Sequence, residues 1–280
     1  MPTEGLAALR DERLGLLHAR ARAAASSFYG ERAHHTLNGT AFSAEVEAHP
    51  PFGRFQLEAA PFIRAGLASA GLPRPTPTAW TRADLDAEAQ LGARALRRAG
   101  LAPRARSSDC LEGGLVVPGT LAITDALDAL DALALPVGPV VDAAALKRAA
   151  EVWEIVAPTM IIGDAASIEF LYAASDYLRP HGFVAFLTPN DAAALSAAAR
   201  DDVFRILSVP QVCTFVAGEC SEHAGYHLAE DAVAAEIQEG RLLLSTLDRS
   251  LMLLHFDTGL RATLDRSPCA CGETHARLRF

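Results

Sequence analysis

Apolar positions along this chain follow two regimes. Up to residue 211, stretches with helical spacing alternate with short continuous apolar runs; from residue 212 on, short apolar segments are separated by turn residues. Helices are predicted over Leu6–Tyr29, Asp84–Ala99, Ile123–Leu135, Ala144–Val156, Ile168–Leu178 and Asp191–Leu207, where Ala, Leu, Glu and Arg dominate. Gly100 stops the second of these and Pro136 the third. Strands are predicted at Thr159–Ile162, Phe183–Leu187 and Val212–Val216, with a short strand and turn at Leu135–Gly138. Asn38-Gly39, His49–Gly53 and Gly66–Pro77 read as irregular, because Gly, Pro and Asn break both periods. Strands alternating with helices give an α/β core with parallel pairing.

The closing region changes the picture. Tyr226–Leu228, Ala232–Ile237, Arg241–Leu247 and Leu251–Phe256 read as short strands joined by Gln238-Glu239-Gly240 and Asp248-Arg249-Ser250. The expected organisation is one domain over residues 1–280, with an α/β part (1–211) and a β-rich part (212–280). Half of the 280 residues are hydrophobic, enough for a sizeable core. The net charge of −9 argues against nucleic acid as a partner, and no basic amphipathic or bilayer-length apolar segment points to a membrane. The N-terminus carries no apolar signal core, so a cytoplasmic location is the default expectation.

Five cysteines, an odd number, favour reduced thiols over a disulfide framework. Cys220, His227, Cys269 and Cys271 offer thiolate and imidazole donors of the kind that hold zinc in a tetrahedron. Gly272 permits the tight turn that Cys269-Ala-Cys271 needs. His223, three residues after Cys220, competes with His227 for the imidazole position. A closed set of four protein ligands is structural, since a catalytic zinc keeps a position open for water. The plainer alternative is a group of ordinary buried cysteines beside histidines on a polar loop. Cys110 and Cys213 read as small core hydrophobes, His255 as a core histidine and the His34-His35 pair as solvated.

These residues, with others in order along the chain, resemble the phenylacetate–CoA ligase branch of the adenylate-forming (acyl-CoA synthetase) enzymes. The resemblance is carried by Arg13-Leu14 through Ser27-Phe28-Tyr29, Pro51-Phe52-Gly53, Pro75-Thr76 through Trp80-Thr81-Arg82-Ala83-Asp84-Leu85, and Ala93–Leu96 with Gly100-Leu101. It continues at Pro158-Thr159 with Gly163, Glu219-Cys220, Gly225-Tyr226-His227, Glu230-Asp231, Glu236-Ile237, Ser245-Thr246-Leu247, Thr258-Gly259 and Cys269-x-Cys271-Gly272. It implies the large N-terminal domain of that fold, mixed sheets layered with helices. It also implies a structural zinc on Cys220, His227, Cys269 and Cys271, and chemistry that joins a carboxylic acid to ATP and then to CoA.

The ATP-handling motifs of the resembled family depart here. The phosphate loop would be Ala68–Thr76, with Ser69, Gly71 and Thr76 as its remaining binding candidates. Leu72 and Pro73 stand where threonine and glycine are expected, and Pro73 has no N–H to give a phosphate. The adenine motif Tyr-Gly-x-Thr-Glu is absent or merged with Glu219-Cys220. Leu260 follows Thr258-Gly259 where an aspartate would hold the ribose, and Asp257 lies three positions away. The chain stops at Phe280, near where that family's mobile C-terminal domain begins.

These departures speak against ATP and CoA as working cofactors. Three functions follow. One is a ligase relative that has lost adenylation and binds an acyl or carboxylate ligand, or a partner enzyme or second copy. Another is an active carboxylate–CoA ligase whose C-terminal domain is supplied in trans. The third is an enzyme acting on an acyl substrate without ATP, with His223, Glu219 and Glu222 as acid–base candidates; a solvated loop around a structural metal is the plainer account of those three.

Overall fold

The apolar runs of this chain line up beside one another in a large mixed sheet. The computed structural model describes residues 3–23, 61–68, 76–114, 116–174, 182–189, 191 and 203–280. Nine strands form the sheet: β3 (Arg106–Cys110), β5 (Leu133–Pro136), β6 (Met160–Asp164), β7 (Phe183–Leu187), β8 (Val203–Val209), β9 (Cys213–Gly218), β10 (Tyr226–Leu228), β14 (Thr263–Asp265) and β15 (Arg277–Arg279). Their order is β14-β15-β10-β9-β8-β7-β6-β3-β5. From β5 to β8 the pairing is parallel, as the alternation of strands and helices predicts. From β8 to β14 it is antiparallel, and the same sheet therefore runs through residue 211 into the closing region. The chain moves outward from β3 to β5 and then back to β6 on the other flank of β3. That reversal makes a topological switch point between β3 and β6, where open α/β sheets place ligands outside the carboxyl ends.

Helices are α1 (Thr3–Ala23), α2 (Arg82–Arg98), α3 (Thr120–Ala129), α4 (Ala143–Val156) and α5 (Ala165–Ala173). Side chains fix their starts. Thr81 and Asp84 form a capping box on α2, Asp142 accepts from Ala145 N–H on α4, and Asp164 accepts from Ser167 N–H on α5. Trp153 on α4 donates from Nε1 to Ser108 Oγ of β3 at 2.7 Å, pinning helix to sheet in the core. Two small sheets complete the chain. One is β2-β1-β4 (Thr76–Thr81, Phe62–Ala68, Val116–Val117) and the other β11-β12-β13 (Val233–Gln238, Arg241–Thr246, Phe256–Arg261). Glu239 and Gly240, with φ of +52° and +77°, make the two-residue turn between β11 and β12.

Several expectations are corrected. The predicted helix 123–135 ends at Ala129, because Asp131 takes φ +58° and Leu133–Pro136 pairs with β3 as an edge strand. The predicted helix 191–207 contains strand β8 at its end; Val203–Val209 is rich in β-branched and aromatic residues and is gripped by β7 and β9. Gly66–Pro77 is not irregular at its ends, which belong to β1 and β2. Leu251–His255 is not strand; the strand begins at Phe256. Strand β3 is absent from the sequence reading because Arg-Ser-Ser-Asp-Cys is polar, yet Ser107, Ser108 and Asp109 are fully buried. The parts of the predicted elements at 24–29, 175–178 and 192–202, with Asn38-Gly39, His34-His35 and His49–Gly53, lie outside the described residues.

Candidate metal centre and neighbouring cleft

Three strand ends converge on the cysteine–histidine set. Cys220 follows β9 by two residues, and His227 sits mid-strand in β10, paired with Gly218 on one side and Arg277 on the other. Cys269 and Cys271 lie on the connection between β14 and β15. There Gly272, at φ +86°, closes a turn by donating its N–H to the Cys269 carbonyl at 3.0 Å. The loop is held from outside by Glu230, which accepts from Ala276 N–H at 2.8 Å and from Arg266 Nη1 at 2.9 Å, and by the Arg277–Asp265 pair at 2.8 Å.

The donor atoms of Cys220, His227, Cys269 and Cys271 all lie within 4.8 Å of one another. Cys220 Sγ is 3.8 Å from Cys269 Sγ, and Cys271 Sγ is 3.4 Å from His227 Nε2. The cysteines are free thiols. A tetrahedron with zinc-type bond lengths has edges of roughly 3.5–3.8 Å, so the spacing fits such an ion, while a disulfide needs about 2.05 Å. Burial, reinforced by Arg98, lowers the His227 pKa, so the ring is neutral and its lone pair available. Burial pushes the Cys220 thiol up to about 12. At Cys269 burial works against ionisation, but the Cys271 N–H and the neighbouring thiols outweigh it and the pKa falls. A cation at the centre of the set would favour the thiolate at all three positions.

The remaining candidates separate. Glu219 Oε2 accepts from Arg205 N–H at 3.0 Å and Nε at 2.8 Å in a buried pair. His223 Nδ1 stands 3.5 Å from the same oxygen, and its ring lies against Phe204 at 5.1 Å between centroids. The geometry therefore puts His227, and not His223, among the cysteines. Glu222 is exposed. Cys110 and Cys213 are buried in the core. Ser69 and Gly71 lie outside the described residues. Thr76 opens β2 and pairs with Ala68, so the ends of the expected phosphate loop meet as one hairpin. Asp257 binds Arg241 Nη2 at 2.6 Å and accepts from Gly259 N–H at 2.8 Å; both carboxylate oxygens are engaged, and Leu260 is buried.

A cleft that the sequence reading missed lies beside the loop leaving the carboxyl end of β3. It runs between Trp80 on β2, Leu85 and Glu88 on α2, and Leu121 and Ala122 on α3. Arg64 stands at this cleft, forked onto Asp125. Trp80 Nε1 is buried with no hydrogen-bond partner among the described residues. Glu88 accepts from Thr214 Oγ1 at 2.8 Å. The only sequence signal was Trp80 within the Pro75–Leu85 match; nothing in the spacing links Arg64 to Asp125. No described helix is long and apolar enough to cross a membrane.

No protein-family model matches the chain, and a search of curated proteins finds no match. Solved structures do match. A 2-hydroxyisobutyryl-CoA ligase, in complex with 2-HIB-AMP and CoA in the thioesterification state, superimposes at a TM-score of 0.78 with 18% identity over 99% of this chain and 67% of that one. The open conformation of the same ligase gives 0.70 with 19% identity, over 87% of this chain and 62% of that one. An acyl-CoA synthetase (AMP-forming)/AMP-acid ligase II-like protein from Dyadobacter fermentans DSM 18053 gives 0.52 with 16% identity, over 91% and 65%. The chain spans 62–67% of the length of these neighbours. Its structural neighbours are adenylate-forming CoA ligases, and its mixed α/β architecture is that of their N-terminal domain.

Proposed function

We propose that this chain binds an acyl or carboxylate ligand on a ligase-type scaffold, that a structural zinc staples its closing region, and that its own residues no longer support ATP-dependent adenylation. The carrying observation for ligand binding is the cleft beside the loop leaving β3, with apolar walls from Leu85, Leu121 and Ala122 and Arg64 at its side. In this reading the acyl body lies against the apolar walls. Arg64 supplies positive charge at the cleft while remaining held by Asp125. Zinc held by Cys220, His227, Cys269 and Cys271 would supply cross-linking alone, since all four positions are taken by protein. The motifs of the sequence resemble the phenylacetate–CoA ligase branch.

Reduced nucleotide handling is supported by the ribose position. Leu260 offers no acceptor, and Asp257 is held by Arg241 and the Gly259 N–H. Losing a charge-assisted contact of this type costs about 1.5–3 kcal/mol. A second reading, an active acid–CoA ligase, is favoured by the neighbours captured with acyl-adenylate and CoA. Titration calorimetry with ATP–Mg²⁺, followed by a pyrophosphate-release assay over a panel of carboxylic acids, separates the two. No saturable heat and no acid-dependent pyrophosphate is the expected result. Saturable ATP binding with acid-dependent release would replace the first reading by the second.

A further inference from the structure

The four metal-type donors are not equally sheltered, and a purely structural staple has no use for the difference. Cys220, His227 and Cys269 are buried, at 2%, 0% and 7% exposure, whereas Cys271 is only half-buried. Its chain neighbours Ala270 and Gly272 are exposed. A small molecule arriving from solvent therefore meets Cys271 before the other thiols. The Cys271 sulfur lies 3.4 Å from His227 Nε2, and both other thiols of the set are within 4.8 Å of it. An exposed thiol with a second thiol in reach is the arrangement that oxidants act on.

The two thiols in reach of Cys271 are not equivalent. Cys269 shares a turn with it, closed by the Gly272 N–H on the Cys269 carbonyl at 3.0 Å. A bond between residues two apart would form a small ring against that turn. Cys220 comes from a different element, just beyond β9, and its Sγ already meets the loop at Cys269 Sγ, 3.8 Å away. Bonded sulfurs sit about 2.05 Å apart, so Cys220 and Cys271 need to approach by less than about 3 Å. Cys110 and Cys213 are buried in the core and serve as internal references.

We infer that this set is a peroxide-reactive modification site, in which Cys271 is the sulfur attacked and Cys220 the thiol that resolves it. Cys271 takes one oxygen of a hydroperoxide: an S–O bond forms, the O–O bond breaks, and the leaving oxygen is protonated to alcohol or water. Cys220 then attacks the sulfenic sulfur: the S–S bond forms, the S–O bond breaks, and hydroxide leaves as water. The two thiols give up two electrons and the peroxide receives them. Only Cys269 and His227 then remain as donors, too few for a tetrahedral staple. The metal-release half of this inference rests on the zinc reading; the thiol half does not.

The test exposes the full chain, as purified, to a small excess of hydrogen peroxide. Mass spectrometry maps the disulfides and a chromogenic chelator reads released metal. A Cys220–Cys271 disulfide should form at least about tenfold faster than any oxidation of Cys110 or Cys213, with stoichiometric metal release and reversal by dithiothreitol and zinc. Cys220→Ser should stop at a sulfenic acid on Cys271, trapped by a cyclic diketone. Cys269→Ser also removes one metal ligand but keeps both reacting thiols, so it should still form the disulfide. A disulfide in protein purified without metal would remove the zinc reading and support this one. Metal-loaded protein that forms no disulfide, a bond confined to Cys269 and Cys271, or a sulfenic acid trapped elsewhere than Cys271 would overturn the inference and leave the zinc reading intact.

Discussion

Asp109 shows how a single residue can carry a measurable signature of this fold. It stands fully buried near the carboxyl end of β3, with Oδ1 accepting the Leu111 N–H at 2.9 Å. Burial raises its pKa to about 6. The folded value lies above the unfolded one, near 3.9, so the fold favours the protonated acid. Its stabilising contribution is complete below about pH 4 and is lost as pH rises through about 6. Asp109→Asn keeps the acceptor for Leu111 and removes the charge. The variant should gain on the wild type by about 2–3 kcal/mol between pH 4 and pH 7, read from urea midpoints at several pH values. Parallel pH profiles for the two proteins would contradict the assignment. Nothing in Arg-Ser-Ser-Asp-Cys announces this, because a polar pentapeptide becomes an interior strand only when β5 and β6 close on both its edges.

Helix α2 crosses α3 and β9 at Gly92. A Cβ there would stand 2.5 Å from Ala126 Cβ and 2.6 Å from Phe215 Cζ. Helix propensity alone favours Ala over Gly by about 1 kcal/mol. Overpacking at a rigid crossing costs about 1–3 kcal/mol, so Gly92→Ala is expected to destabilise on balance. Chemical denaturation measures this, and Phe215→Leu in the same chain should restore part of the loss. A more stable Gly92→Ala protein would show that the crossing yields. Local signals account for much of the element layer. Asp142 and Asp164 mark helix starts, the Glu239-Gly240 turn sets the β11–β12 register, and Phe183–Leu187 is a strand from its composition. The errors fall at Leu130–Leu135 and Val203–Leu207, where strand pairing overrides helix-forming composition.

At the scale of the whole molecule, the proposed zinc joins the ends of β9 and β10 to the β14–β15 connection, so its removal should loosen one end of the large sheet. Cys271→Ser should abolish stoichiometric metal in elemental analysis and lower the melting temperature. A chelator should do the same to the wild type, since structural zinc contributes on the order of 10 kcal/mol in small zinc domains. Hydrogen exchange after chelation should rise in residues 213–228 and 263–279, while β3, β6 and β7 stay protected. Equal protection with and without chelator would remove the staple from the account.

The order of residues along the chain determined the α/β alternation, the β-rich close and the metal-type donors, because helical period, apolar runs and thiol–imidazole chemistry are local properties. It also carried the likeness to adenylate-forming ligases that the structural neighbours share at the level of fold. The resemblance already pointed to His227, but only tertiary structure gives the reason it, and not His223, neighbours Cys271: pairing of β10 with β9 and β15 fixes which imidazole meets the thiols and leaves the other beside Glu219. It alone assembled the cleft that Arg64, Trp80 and Glu88 line. Arg64 meets Asp125 and Arg249 meets Glu88 across more than sixty residues, a separation at which no periodicity or spacing rule relates one side chain to another.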